Sequence, residues 1–210
     1  GRTQLIGFEN AYHGSSHGAL SVMGGEFFRA AFRPLLPDVG RIRFNCPEDL
    51  QYITGRTAGV IIEPMQGEAG IFNADPDYLT ALRRRCTEVG ALLIFDEIQT
   101  GFGRTGHWFA FHKYGVVPDI LVLAKSLGGG MPLGAFIASN ALMGVLQTDP
   151  PLGHITTFGG HPVCCAAGLA ALQFLEESNL VREAESKGAL FESLLRDHPG
   201  ILEIRRFGLM

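Results

Sequence analysis

The sequence predicts an α/β protein, a mostly parallel sheet flanked by helices, and three observations carry that reading. Short apolar runs of strand length, bounded by glycine or proline, recur at residues 58–63, 91–97, 119–124 and 134–139. Amphipathic or alanine-rich segments of helical length interleave with them. The first two runs are joined by one such segment, a β-α-β crossover whose flanking strands run parallel.

Taken in order, Ala58 to Glu63 reads as a buried strand. Asp75-Pro76 opens a helix that runs to about Val89, with the proline in a first turn that needs no amide and Gly90 as the stop. Ala91 to Glu97 is the next strand and delivers Asp96 and Glu97 to its end. Asp119 to Ala124 is the third and delivers Lys125, followed by Gly128-Gly129-Gly130; Gly134 to Ser139 is the fourth. His161-Pro162 begins an alanine-rich helix through about Glu177, and Asn179 to Arg196 forms another. Ile201 to Arg205 is expected to form a strand, so residues 1–177 read as a large domain and residues 178–210 as the beginning of a small one. No internal repeat or low-complexity linker interrupts the chain.

Composition narrows the function. The 210 residues, 46% hydrophobic and 18% charged, suffice for one sizeable core and the start of another. A net charge of −4 and the absence of any basic run beyond Arg83-Arg84-Arg85 argue against nucleic acid, and that triplet is expected on a solvated helix face. No apolar stretch reaches the roughly 18 residues of a membrane span, and the first ten residues lack the apolar core of an export signal. Cys46, Cys86, Cys164 and Cys165 have no Cys-x-x-Cys spacing, and the vicinal pair is a poor disulfide framework and reads as small packing residues, so a reducing cytoplasm is expected.

Lys125 is one of three lysines and ends an apolar run. Burial there would strip water from the ammonium and favour the neutral amine, a nucleophile able to form a Schiff base. Asp96 ends another apolar run and suits three chemistries. As a Walker B acid it needs a partner loop G-x-x-x-x-G-K-S/T, which the sequence lacks. As part of a dinucleotide fingerprint, Gly101-Phe102-Gly103-Arg104-Thr105-Gly106 has the spacing but not the context: two carboxylates precede it and no helical pattern follows. As the partner of a protonated pyridine nitrogen, Asp96 gains both a charge and a donor, and makes the ring an electron sink. Taken alone, a structural bridge to a residue such as Arg104 would serve Asp96 as well. With Lys125 one strand further on, pyridoxal phosphate is the expected cofactor.

The string Asp96-Glu97-Ile98-Gln99-Thr100-Gly101-Phe102-Gly103-Arg104-Thr105-Gly106, with Glu63-Pro64-Met65-Gln66-Gly67-Glu68 before it and Lys125 and Thr157-Phe158-Gly159-Gly160 after it, resembles the class III (omega) pyridoxal-phosphate aminotransferases. Ornithine, acetylornithine, 4-aminobutyrate and putrescine aminotransferases belong to that group. The resemblance spans the chain and implies the large domain of a fold type I, aspartate aminotransferase-like enzyme, present as roughly its middle half. The phosphate-binding turn would precede residue 1, and most of the small domain would follow Met210. Lys125 would hold the cofactor by a Schiff base, yield it to a substrate amine and then move the proton at the donor carbon. Asp96 would face the pyridine nitrogen and Gln99 the phenolic oxygen. Tyr12, followed by His13 at the cofactor, would cover one ring face and Ile98 the other. Thr157 would reach the cofactor of a neighbouring subunit, which implies a homodimer.

For substrates, the resemblance implies small-molecule amines and a 2-oxo acid such as 2-oxoglutarate. Glu68 would pair with an arginine of the small domain and release it to a carboxylate; a solvated loop is the alternative. Glu63, at its strand end, lies near the site with no assigned task. Where the ornithine, acetylornithine and 4-aminobutyrate enzymes have Tyr/Phe-x-Gly-Arg, this chain has Tyr12-His13-Gly14-Ser15, and a serine cannot clamp a carboxylate as arginine does. A putrescine type of donor, or a similar amine, therefore remains open, while the general resemblance makes an acetylornithine or ornithine type the first expectation; a putrescine or 4-aminobutyrate type, or a cofactor-domain fragment inactive by itself, is the alternative. His13 and His17 lie among glycines with no neighbouring cysteine or carboxylate to close a site, so no metal is expected. His154 and His161 flank the Thr156-Thr157 loop and are expected to shape the subunit contact.

Overall fold

The computed structural model describes residues 1–148 and 151–210. Its strands are β1 (Gln4–Phe8), β2 (Val39–Ile42), β3 (Thr57–Ile62), β4 (Met65–Gln66), β5 (Phe72–Asn73), β6 (Leu92–Asp96), β7 (Ile120–Leu123) and β8 (Ala135–Ala138). Its helices are α1 (His17–Val22), α2 (Glu26–Arg29), α3 (Pro76–Val89), α4 (Phe111–Tyr114), α5 (Asn140–Gly144), α6 (Pro162–Glu177) and α7 (Leu180–Leu195). One sheet runs β2-β1-β3-β6-β7-β8, parallel throughout except for β8, while β4 and β5 pair apart from it.

The crossover expected between the first two apolar runs is present: β3 and β6 are parallel neighbours in register Val60↔Leu93 and Ile62↔Phe95. Between them α3 begins where Asp75 accepts from the amides of Asp77 at 2.9 Å and Tyr78 at 3.1 Å. It ends at Gly90, whose φ of +71° a side chain would resist. Tyr78, Leu79, Leu82 and Cys86 of α3 share one core with Ile6, Phe8, Val60, Ile62, Leu93 and Phe95. Each fully buried leucine there contributes roughly 1.5–3 kcal/mol. On the sheet's other face Leu5, Gly59, Ile61 and Ile94 line an apolar hollow of about 240 Å³ beside Ala19 and Val22 of α1. There α1 crosses so close to β1 that a Cβ at Gly7 would lie 2.3 Å from the Val22 carbonyl oxygen.

Several expectations are corrected. The run 201–205 is not a strand. A strand must pair its amides and carbonyls with a neighbour, whereas here the main sheet ends at β2 and β8, and the tail docks by other means. Arg205 Nε donates to the Gly70 carbonyl at 2.6 Å, Arg206 pairs with Glu185 at 2.8 Å and Glu192 at 3.0 Å, and Phe207 is buried beside Met65 and Ala110. The arginine triplet is not a uniformly solvated face. Arg83 pairs with Asp119 at 2.8 Å and Arg85 donates to the Ile53 carbonyl at 2.8 Å, so only Arg84 is left exposed. Of the vicinal cysteines, Cys164 is buried but Cys165 is exposed and packs no core. Among the described residues no helix is long and apolar enough to cross a membrane.

Candidate active site

Because β1, β3, β6 and β7 are adjacent and parallel, their C-terminal ends open on one edge of the sheet, where open α/β sheets hold ligands. The segment after β1 carries Tyr12 and His13, β3 is followed by Glu63, β6 ends in Asp96 with Ile98 and Gln99 beyond it, and β7 leads to Lys125. These seven side chains, with Gly14, line one cleft of about 180 Å³. Wider depressions of about 520 and 550 Å³ lie near Trp108 and Phe136 and are lined by no buried carboxylate.

Asp96 is buried and braced from two sides. Its Oδ2 lies 2.8 Å from His13 Nδ1, and its Oδ1 accepts from the Ile98 amide at 3.1 Å. Its partner is thus His13 and not Arg104. His13 Nε2 is buried with no hydrogen-bond partner among the described residues. Glu63 is also buried: Oε2 accepts from the Tyr12 amide at 3.0 Å and Oε1 from the Gly67 amide at 3.4 Å. Burial, reinforced by the nearby Asp96 and opposed by these amides and His13, pushes its carboxyl up to about 7. Glu97 lies off the cleft, wholly buried, and accepts from the amides of Ala110 at 2.6 Å and Phe111 at 2.8 Å. Burial raises its carboxyl too.

Lys125 departs from expectation. It is exposed rather than stripped of water, because β7 ends at Leu123 and Lys125 opens the 3-10 turn Lys125–Gly128 beyond the covered part of the sheet. Its φ of +47° is in the left-handed region that non-glycine residues rarely adopt. Such strain persists where surrounding structure enforces it, commonly at functional sites. Gln99 lines the cleft while its Nε2 donates to Glu68 Oε1 at 2.9 Å, so Glu68 stands at the rim and is exposed. Ser15 and Thr157 are exposed and do not line this cleft; Thr157 sits in a turn between α5 and α6. The His13–Asp96 bond and the two ties of Glu63 were not anticipated, and no spacing in the sequence announces them.

The aminotransferase class-III sequence profile matches residues 1–210. The chain belongs to the class-III aminotransferase family. It is 41% identical, over its whole length, to the LysW-aminoadipate semialdehyde/glutamate semialdehyde transaminase of Sulfurisphaera tokodaii, of which the match covers 54%. It superposes on an ornithine aminotransferase of Toxoplasma gondii with a TM-score of 0.91 at 36% identity, covering 99% of this chain and 50% of that one. A thermostable (S)-enantioselective omega-transaminase from Thermomicrobium roseum gives 0.89 at 31% identity, covering 99% and 52%. The chain thus spans about half the length of these class-III relatives. The family indicates pyridoxal phosphate as the cofactor, and the ornithine aminotransferase structure records PLP at its active site. The cleft fits that group chemically: the primary amine of Lys125, the buried carboxylate of Asp96 braced by two partners, an aromatic wall and an amide share its lining.

Proposed function

We propose that this chain is the cofactor-holding part of a transaminase that moves an amino group from an omega-amine donor of acetylornithine or ornithine type to a 2-oxo acid such as 2-oxoglutarate. The observation that carries this reading is the meeting of Asp96 and Lys125, from neighbouring parallel strands, in one cleft. When bound, pyridoxal phosphate supplies an aldehyde that captures amines and a ring that withdraws electrons from the attached carbon. Lys125 would hold the aldehyde, and its freed amine would take and return the proton at the donor carbon. Asp96, kept in place by His13 and the Ile98 amide, would hold the ring nitrogen protonated. Tyr12 and Ile98 would enclose the ring, Gln99 would meet its phenolic oxygen, and Glu68, now tied to Gln99, would respond to the incoming acid.

Residues 1–177 would form the large domain and residues 178–210 the start of the small one. The active unit would be a homodimer in which the exposed Thr157 reaches the partner's cofactor. A cytoplasmic setting accords with four unpaired cysteines. A second reading, a carboxylate-free amine donor of putrescine type, is favoured by one feature: among the described residues Lys125 is the only lysine or arginine in the cleft lining, beside Glu63 and Asp96, and Ser15 offers no carboxylate clamp. Half-transamination of the full-length protein with acetylornithine, ornithine, 4-aminobutyrate and putrescine, followed by the loss of the cofactor's near-visible absorbance, separates the two. Conversion by none of the four overturns both. The same assay on the 210-residue chain shows whether this part is active by itself.

A further inference from the structure

Glu63 is the one buried carboxylate of the cleft to which the proposed transfer gives no task. It follows β3, which lies between β1 and β6 in the sheet, so it stands between the segment bearing Tyr12 and His13 and the strand end bearing Asp96. Its two oxygens take amides from two different segments, Tyr12 at 3.0 Å and Gly67 at 3.4 Å. A neighbouring bond, from Gln66 Nε2 to the Glu9 carbonyl at 2.8 Å, stitches the same two segments together. Gly67 in turn adjoins Glu68, which Gln99 holds at 2.9 Å, and a Cβ at Gly67 would lie 2.3 Å from Gln99 Oε1. One carboxylate therefore fastens the Tyr12 wall to the Glu68 turn and, through it, to Gln99.

We propose that Glu63 is a positioning residue, whose ionised carboxylate ties the Tyr12–His13 segment to the Gly67–Glu68 turn and so sets the shape of the cleft in which Asp96 and Lys125 meet. The ties are a property of the fold; only their consequence for the cofactor rests on the transaminase reading. Hydrogen bonds to an ionised carboxylate are roughly twice as strong as neutral ones. Adding a proton to Glu63 weakens both ties and turns one oxygen from acceptor to donor. The titratable groups around it are Tyr12 and His13 after β1, Asp96 at the end of β6, Glu68 on the turn and Lys125 after β7. With the carboxyl pushed up to about 7, the ties are whole above neutrality and loosen below it.

The test is the pH dependence of the Tyr12 and Gly67 amide resonances in the cofactor-free chain. Both should shift together with a shared midpoint near 7, and the shared transition should vanish in Glu63→Gln but persist in Glu68→Gln. Amides that titrate separately, or do not titrate, overturn the proposal; because this is read on the unsubstituted chain, it decides even if Glu63→Gln fails to fold. As a second readout, pyridoxal phosphate affinity followed by absorbance should weaken about tenfold below the midpoint, the worth of one hydrogen bond to a charged group, and this pH dependence should be absent in Glu63→Gln. An affinity that keeps its full pH dependence in Glu63→Gln contradicts the proposal. If the amides move together but no cofactor band forms, the tie stands and the transaminase reading falls; a band without shared titration does the reverse.

Discussion

Helices α3 and α6 are of similar length, 14 and 16 residues, yet the chain treats them oppositely. α3 sends four residues into the sheet's core and leaves its arginines at the margin. α6 buries only Cys164 and Gly168 and leaves Val163, Leu169, Leu172 and Phe174 exposed. Its small-residue face meets the turn behind Lys125, where a Cβ at Gly168 would lie 2.7 Å from the Leu127 carbonyl. The α3 side of the sheet is thus covered by its own chain, whereas α6 behind Lys125 presents apolar surface of the kind that subunit and domain contacts use. That asymmetry accords with the proposed dimer, and it can be broken or sharpened in stages.

The largest effect should come from Lys125→Ala. In the full-length protein it is expected to lower transfer by roughly 10²–10⁴-fold or more from lost proton transfer alone, measured by single-turnover absorbance, with the thermal melt of the sheet unchanged. Next, Leu82→Ala in α3 should cost about 2–5 kcal/mol in a denaturant titration. A smaller loss would mean that the α3 side is less self-contained than its burial shows.

The third effect is a pH slope. The folded-state value of Glu63, about 7, lies above its ordinary 4.5, so the folded protein holds an extra proton between them. Stability is therefore greatest below that window and declines as pH rises through it, by on the order of 3 kcal/mol from this group. Glu97, raised in the same direction by burial, adds to the slope. Calorimetry on Glu63→Gln should show it reduced, and an unchanged slope would assign it to Glu97 alone. Fourth, Asp75→Ala removes the cap of α3 and should cost about 1 kcal/mol. The smallest effect is expected from Leu169→Ser on exposed α6, within about 0.5 kcal/mol for the isolated chain. In the full-length protein the same change should weaken subunit association, seen by sedimentation; a destabilised isolated chain with unaltered association would break the contrast.

How much was legible in the sequence follows the same division between local and distant causes. α3 could be read to its ends because Asp75, Pro76 and Gly90 punctuate it locally. Asp96 and Lys125 could be read because each follows an apolar strand. β1 and β2 were not read: β1 is the pentapeptide Gln-Leu-Ile-Gly-Phe, interrupted by a glycine whose reason is the distant Val22 carbonyl. Missing β1 hid the partners it brings, since His13 and Asp96 are 83 residues apart and Tyr12 and Glu63 are 51 apart. Such pairs are chosen by strand order. The run 201–205 failed as a strand for the converse reason: its apolar pattern, with Leu202 fully exposed, lacks a neighbour to pair with.

The central claim, that one amine at the tip of β7 faces the carboxylate at the tip of β6 across a single cofactor, has a direct test because the chain contains only three lysines, Lys113, Lys125 and Lys187. Pyridoxal phosphate is added, the adduct is fixed with borohydride, and the labelled peptide is identified by mass spectrometry. The account predicts the label on Lys125, with its yield reduced in Asp96→Asn. A label on Lys113 or Lys187 instead, or a Lys125 yield indifferent to Asp96, would contradict it.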